Sequence, residues 1–211
     1  MKTPLTAMKL MIEQIDDFKL NSKLEKEWLR IHLLLDQQLH NTRLGTIEQD
    51  NRMERFPLRM VVYKEIREYQ PWCLEKGIGF DIEELTEEVI TDKKWLAFIV
   101  RQLLSNAIKY SYENRDIKIY IEHDEHGHLL LQFKDYGVGI KEEDLPRIFN
   151  KSYTGTVGRG SKHSTGMGLY LAKGAADKLG IQILVQSNVN QGTRFTLSFP
   201  LQNEYQNIIG R

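Results

Sequence analysis

The feature that most constrains the fold is a short stretch, residues 134–140, of sequence Lys-Asp-Tyr-Gly-Val-Gly-Ile. An apolar run of strand character, residues 129–133, comes directly before it, and a polar helix start follows. The pattern predicts a buried strand that ends in Asp135, after which Gly137 and Gly139 let the backbone turn sharply at the edge of a sheet. A carboxylate buried there needs a hydrogen-bond donor, and an exocyclic amine such as that of adenine could supply one. Asp-x-Gly-x-Gly alone is a weak motif, because many such strings are tight turns after a strand.

Composition limits the classes of protein to which the chain can belong. It has 211 residues, with 29 basic side chains balanced by 29 acidic ones, so no net charge favours nucleic acid as a partner. The single cysteine, Cys73, excludes an internal disulfide and a thiolate-rich metal site, and it fits a reduced intracellular compartment. No run is long enough to span a membrane and the N-terminus lacks the apolar core of a signal peptide, so the sequence predicts a soluble, cytoplasmic chain.

Residues 1–48 predict two long helices with a break near Asn21-Ser22. Apolar residues recur at spacings of three and four, at Leu5, Met8, Ile12 and Ile15 in the first helix and at Leu24, Trp28, Ile31 and Leu35 in the second. This spacing is typical of the seam of an antiparallel helical hairpin, which buries too little apolar surface by itself. We therefore expect residues 1–48 to form a homodimeric four-helix bundle. The alternative is a two-helix lid packed on the rest of the same chain.

The remainder of the chain mixes helices and strands. Periodicity and capping predict helices at 61–76, at 93–110 after the cap Asp92, and at 167–179. Predicted strands cover 56–60, 78–85, 88–91, 116–122, 128–135, 181–186 and 193–199, with 78–85 and 88–91 expected to pair. The predicted fold class is α+β: a helical hairpin at 1–50, a linker near 45–55, an α/β two-layer sandwich at 56–200 with helices on one face of a mixed sheet, and a tail at 201–211.

Two further stretches could complete a binding site around Asp135. One is a stripe along the helix 93–110, where an amide oxygen could ligate Mg²⁺, an ammonium could neutralise phosphate and a ring could cover a base. Its members are Gln102, Asn106, Lys109 and Tyr110. The other is residues 164–169, where glycines at a helix start let backbone amides approach an anion. The alternative for the stripe is an ordinary solvent-exposed helix face.

In this order, the motifs resemble those of the ATP-binding domain shared by histidine kinases, DNA gyrase, the Hsp90 chaperones and MutL, whose sandwich is of the Bergerat type. Residues 102–111 resemble the N box of that family, residues 135–139 its first glycine box, and residues 166–169 its second. Residues 145–149, Leu-Pro-Arg-Ile-Phe, resemble the F box of histidine kinases.

The resemblance implies ATP and Mg²⁺ as cofactors, and it implies a role for each matching residue. Asn106 would hold the metal, Lys109 would face the phosphates and Tyr110 would pack near the adenine. Asp135 would accept a hydrogen bond from the adenine amine. Glycines would shape the pocket and seat the phosphates, and residues 150–165 would form a lid in which Lys162 could add charge at the γ-phosphate. The pocket residues of the two glycine boxes are Gly137, Gly139, Ile140, Gly166, Gly168 and Leu169.

Gln102 favours a kinase over an ATPase. The ATPase branches carry, as the resemblance implies, a glutamate one helical turn before the metal-binding asparagine, where it activates water. An amide cannot accept that proton, so Gln102 suits transfer of the γ-phosphoryl group to another nucleophile. Two alternatives remain open at this point: an ATPase of the gyrase or chaperone branch, and a non-catalytic dimerisation module gated by nucleotide.

The N-terminus adds a second resemblance to histidine kinases. Lys2-Thr3-Pro4 resembles the end of the H box, His-Glu-x-Lys-Thr-Pro, so the acceptor histidine is expected just upstream of Met1. Thr3 would then help to position water when phosphate is removed from the partner, which would be the receiver domain of a response regulator. Other stretches, such as Tyr153-Thr-Gly, resemble the Gram-positive sensor kinases that respond to bacitracin and other antimicrobial peptides. That resemblance implies a full-length protein in the cell membrane and an ABC transporter as a further partner.

Overall fold

A computed structural model of the chain describes residues 4–43, 52–155 and 165–201. Five helices and seven strands follow one another within these ranges. In order they are α1 (Pro4–Ile12), α2 (Phe18–Arg43), β1 (Met53–Pro57), α3 (Arg59–Lys76), β2 (Phe80–Ile82), β3 (Glu88–Asp92), α4 (Lys93–Tyr110), β4 (Ile117–His123), β5 (Leu129–Lys134), α5 (Gly168–Lys178), β6 (Gln182–Asn188) and β7 (Gly192–Ser198). A 3₁₀ turn, Leu145–Arg147, follows β5.

The break between the first two helices lies earlier than predicted. Asn21 belongs to α2, which begins at Phe18, so the predicted break near Asn21-Ser22 is wrong. Asp17 sets the start of α2, because its Oδ1 accepts hydrogen bonds from Lys19 N at 2.9 Å and Leu20 N at 3.1 Å. Asn21 instead joins α2 to the end of α1, since its Nδ2 donates a hydrogen bond to the Ile12 carbonyl oxygen at 2.7 Å.

One side of this helical pair packs on α3. Ile12 and Trp28 are buried, the Trp28 indole donates to the Leu5 carbonyl oxygen at 2.9 Å, and the Lys9 ammonium pairs with Glu68 at 2.5 Å. Other apolar side chains of the predicted seam remain exposed. They include Met8, Ile31 and Leu35.

The strand pair expected around residue 85 does not form. β2 and β3 lie in different sheets: β3 pairs antiparallel with β1, whereas β2 pairs parallel with β4. The strand predicted at 56–60 is also displaced, because β1 begins at Met53 and α3 begins at Arg59. Local sequence predicted these strands, but strand partners come from distant parts of the chain, which local patterns do not specify.

The main sheet has five strands in the order β2-β4-β5-β7-β6. The predicted hairpin of β4 and β5 is confirmed, with Ile119 opposite Phe133, and the sheet is mixed because β2 alone runs parallel to its neighbour. Helices α4 and α5 pack on one face of this sheet. The predicted fold class is confirmed: a helical segment followed by an α/β two-layer sandwich.

Helix α4 is the centre of the core. Asp92 caps it as predicted, accepting from Lys94 N at 2.9 Å and Trp95 N at 3.0 Å. Every member of its predicted apolar face is buried: Leu96, Ile99, Val100, Leu103, Leu104, Ala107 and Ile108. A helix held so firmly on one side presents its neighbouring polar stripe in a defined position.

Among residues 4–43, 52–155 and 165–201, no helix combines the length and apolar composition that crossing a bilayer requires.

Candidate functional site

A cavity of about 250 Å³ opens between α4, the loop after β5 and the start of α5. Asp135 and Asn106, which the two box motifs place far apart in sequence, both line it. Nine of the predicted site residues are lining residues: Asn106, Lys109, Tyr110, Asp135, Gly139, Ile140, Gly166, Gly168 and Leu169. The structure thus brings the helix stripe and the two glycine stretches together.

The helix stripe forms one wall of this cavity. Gln102 is buried and Asn106 is half-buried, one turn apart on α4. The Lys109 ammonium lies 5.2 Å from the centroid of the Tyr110 ring, close enough for a cation–π contact. Lys76 holds the end of α4, because its ammonium donates at 2.9 Å to the carbonyl oxygens of Ile108 and Lys109. The stripe therefore lines the cavity.

Asp135 forms the acidic floor of the cavity. It is 3% exposed, and its Oδ1 accepts hydrogen bonds from Gly137 N at 3.0 Å and Thr193 N at 3.1 Å. Burial raises the pKa of Asp135 to about 6, although the two backbone donors act to lower it. Because both bonds go to Oδ1, Oδ2 is the oxygen that can accept from a ligand amine.

Gly137 lies behind the wall rather than on the cavity surface. A Cβ at this position would stand 1.9 Å from the Tyr110 carbonyl oxygen, so the α4 backbone and the loop can approach only if no side chain intervenes. The same loop is joined to the end of α4 by a hydrogen bond from Val138 N to Tyr110 O at 3.1 Å. This contact sets the distance between Asp135 and the helix stripe.

Gly166 makes the corresponding close approach at the other end of the cavity. Its φ of +65° lies in the left-handed region, and an added Cβ would stand 2.4 Å from the Ser152 carbonyl carbon. Two residues later α5 begins at Gly168, and Gly168 and Leu169 at its start line the cavity. The first backbone amides of a helix have no carbonyl partner within it, which makes a helix start suited to an anion.

A polar group that the sequence did not indicate, Asp144 with Tyr153, also lines the cavity. The Tyr153 hydroxyl donates to Asp144 Oδ1 at 2.5 Å, and the Arg147 guanidinium contacts the same oxygen at 3.2 Å. The guanidinium also lies 5.2 Å from the centroid of the Tyr153 ring. Asp144 and Tyr153 fall in stretches predicted as a helix start and a lid, and no spacing rule links them.

Sequence reasoning also missed a hydroxyl pair behind the acidic floor. Thr193 lines the cavity, and its Oγ1 lies 2.9 Å from Ser187 Oγ. The two residues are direct partners in the register of β6 and β7. The sequence predicted the start of β7 at Thr193, but the register that sets it beside Asp135 is a long-range property.

Two predicted site residues, Thr3 and Lys162, lie outside the described residues, as does most of the predicted lid.

The fold and site together define the class: a two-layer α/β ligand-binding domain whose polar cavity lies between one helix, an acidic strand end and a glycine-opened helix. The model of the family described as "Histidine kinase-, DNA gyrase B-, and HSP90-like ATPase" matches residues 91–203. The chain belongs to this family.

Named relatives agree with this assignment. The chain is 51% identical over 209 residues to the sensor protein BceS of Bacillus subtilis (strain 168), a match over 99% of the chain and 62% of BceS. It is 45% identical over 204 residues to the sensor histidine kinase GraS of Staphylococcus haemolyticus, over 96% of the chain and 59% of GraS. The chain thus spans less than two thirds of the length of these relatives. The resemblance to sensor histidine kinases is confirmed at the level of sequence.

A solved structure supports the fold. Full-length ShkA, crystallised in complex with AMPPNP, superimposes with a TM-score of 0.68 over 94% of this chain and 43% of ShkA, at 19% identity.

Proposed function

We propose that this chain is the ATP-binding part of a two-component sensor histidine kinase, together with the helical pair through which the kinase dimerises. It would bind MgATP and transfer the γ-phosphoryl group to a histidine. One observation carries the proposal: an acidic strand end, a helix stripe bearing Asn106 and two glycine stretches all line one cavity. The 51% sequence identity to the sensor protein BceS supports the proposal further, as does the similarity in fold to ShkA, which was crystallised with AMPPNP.

Each wall of the cavity suits one part of the nucleotide. Asp135 would accept a hydrogen bond from the adenine amine, since its Oδ2 is not used by the backbone donors. Gly166 and Gly168 would seat the phosphates at the start of α5, where backbone amides favour negative charge. Lys109 would neutralise phosphate charge and Tyr110 would pack near the base.

The cavity also fits a magnesium ion brought in by the nucleotide. Asn106 is half-buried on the cavity wall and offers an amide oxygen, which is a suitable ligand for a hard cation. Mg²⁺ bound there would neutralise charge on the phosphates during transfer.

A kinase is favoured over an ATPase of the same family by Gln102. This side chain is 3% exposed and lines the cavity one helical turn before Asn106, where a general base for hydrolysis would have to lie. Its amide cannot take a proton from water. Steady release of phosphate without an acceptor would contradict this choice. Nucleotide binding without transfer to any histidine would instead favour a non-catalytic dimerisation module.

The acceptor and partners follow from the resemblance to sensor kinases. The acceptor would be the histidine that precedes Lys-Thr-Pro in the H box, and the phosphoryl group would pass to an aspartate on a response regulator receiver domain. Thr3 would position water for the reverse activity, and Lys162 would reach the γ-phosphate from the lid. The full-length protein would act at the cell membrane beside an ABC transporter.

Exposed apolar side chains on α1 and α2 support dimerisation through residues 1–48. Large hydrophobic side chains are exposed on α1 and α2, at Met8, Leu10, Met11, Leu20, Ile31, Leu34 and Leu35. Burial of such a surface against a second copy is the usual origin of a four-helix bundle. Ile31→Glu should therefore yield monomers in sedimentation equilibrium, whereas Leu184→Glu, at an equally exposed site on β6, should not.

The central test adds an acceptor histidine. A protein with His-Glu added directly before Met1 should incorporate labelled phosphate from ATP, and one with Ala-Glu added should not. The label should be stable in base and labile in acid, as phosphohistidine is. If the His-Glu protein binds ATP and forms dimers but stays unlabelled, the assignment as a kinase is wrong.

A further inference from the structure

Ser187 lies at a junction of three segments behind the cavity. Its Oγ accepts a hydrogen bond from Ile140 N at 2.8 Å, which ties β6 to the loop that follows Asp135. The same oxygen lies 2.9 Å from the Gly192 carbonyl oxygen and 2.9 Å from Thr193 Oγ1. Ser187 is half-buried and does not itself line the cavity, whereas Thr193 does.

The donors and acceptors around Ser187 leave one possible arrangement of the hydroxyl hydrogens. A serine hydroxyl has one proton to donate and two lone pairs that accept. The Gly192 carbonyl can only accept, so Ser187 donates to it. Ile140 N takes one lone pair of Ser187, and the Thr193 hydroxyl donates to the other. This arrangement uses every hydrogen-bonding capacity of Ser187.

These hydrogen bonds also fix the direction of the Thr193 hydroxyl. Because its proton is donated to Ser187, the Thr193 hydroxyl has none left for a ligand and can offer a ligand only lone pairs. Asp135 lies next to Thr193 and accepts a hydrogen bond from Thr193 N. Its ionised carboxylate likewise has lone pairs and no proton to donate. The floor of the cavity therefore accepts hydrogen bonds and donates none from these two side chains.

We infer that Ser187 is a positioning residue for base selection: through the Thr193 hydroxyl it keeps the cavity floor free of donors, so that a 6-aminopurine is accepted and a 6-oxopurine is rejected. A 6-amino group brings N–H donors to this floor. A 6-oxo group brings lone pairs that face the lone pairs of Thr193 and Asp135, a mismatch that binding sites use to discriminate. The inference rests on the proposed nucleotide binding.

The test compares ATP with inosine triphosphate (ITP), which differs in having an oxo group at C6 and a proton at N1. Affinities would be measured by isothermal titration calorimetry. In Ser187→Ala the Thr193 proton is released and can turn toward the cavity, so the ratio of ATP affinity to ITP affinity should fall roughly tenfold. A role in packing alone would weaken both nucleotides equally and leave the ratio unchanged. Ser187→Thr, which restores a hydroxyl, should recover the ratio, and Ser198→Ala on β7 is the matched control.

A double-mutant cycle tests the route of the effect. Thr193→Val removes the hydroxyl at nearly constant shape and should itself lower the ratio, so the inference is testable even if Ser187→Ala fails to fold. In the Thr193→Val background, Ser187→Ala should change the ratio no further. If the unmodified protein prefers ATP and both single variants keep that preference, this inference is wrong and the proposed function stands. If the unmodified protein binds neither nucleotide, both are wrong.

Discussion

Asp135→Asn separates the binding role of this carboxylate from its effect on stability. The substitution keeps the shape of the side chain and an oxygen that can accept from Gly137 N and Thr193 N. It removes the charge, and it can place an amide donor where Oδ2 stood. We expect a protein that folds more stably at neutral pH and no longer binds ATP well.

The size of the stability effect follows from the pKa. Burial raises the pKa of Asp135 from 3.8 to about 6, so the ionised form is disfavoured in the folded state. Above pH 6, burial of the ionised carboxylate lowers the unfolding free energy by an amount that approaches about 3 kcal/mol. Below pH 3.8 the carboxyl is protonated in both states and the cost disappears. The advantage of Asp135→Asn should therefore grow between pH 4 and pH 6 and stay constant above.

Urea denaturation at a series of pH values measures the difference in unfolding free energy between Asp135→Asn and the unmodified protein. Calorimetry at about pH 7.5 measures ATP binding. Loss of a charge-assisted hydrogen bond should weaken ATP binding by on the order of 100-fold. In the unmodified protein, ATP affinity should fall as the pH is lowered through about 6, because protonation of Oδ2 removes the negative charge and turns this acceptor into a donor. Asp81→Asn, on an exposed residue of β2, is the matched control for both measurements. An Asp135→Asn protein that binds ATP normally, or that is less stable than its parent at every pH, would refute the reasoning.

Three further substitutions test the surroundings of the cavity. Gly137→Ala should lower the unfolding free energy measured in urea by roughly 3 kcal/mol, because the added Cβ would lie 1.9 Å from the Tyr110 carbonyl oxygen. Gly79→Ala is the control and should lower it less, because there the added Cβ would contact only the movable side chain of Asp116. Lys76→Met should cost about 1–2 kcal/mol in the same assay, since two carbonyl oxygens at the end of α4 lose their donor; a neutral result would show that the ammonium contributes nothing to the helix end. Gln102→Glu should raise the release of phosphate from ATP by about tenfold or more, as a carboxylate at this position can activate water; an unchanged rate would contradict the role assigned to this site.

Several features of the protein were predictable because they depend on neighbours in sequence. The helical period placed the buried face of α4, and Asp92 marked where that helix begins. Alternation around a turn predicted the β4–β5 hairpin. Glycines marked the two places where backbone segments approach each other, and their order beside Asn106 and Asp135 was enough to identify the family.

Tertiary structure alone decided how distant segments meet. Whether β3 pairs with β2 or with β1 depends on packing over the whole domain, and local sequence predicted the wrong partner. The register of β6 and β7 sets Ser187 opposite Thr193. The pairing of β5 with β7 brings Thr193 against Asp135, a contact between residues 58 positions apart in sequence. The meeting of Asp144 with Tyr153 likewise arises from the path of a loop. Local patterns record what each segment can form, but which segments share a cavity is decided by the burial of one common core, to which the whole chain contributes.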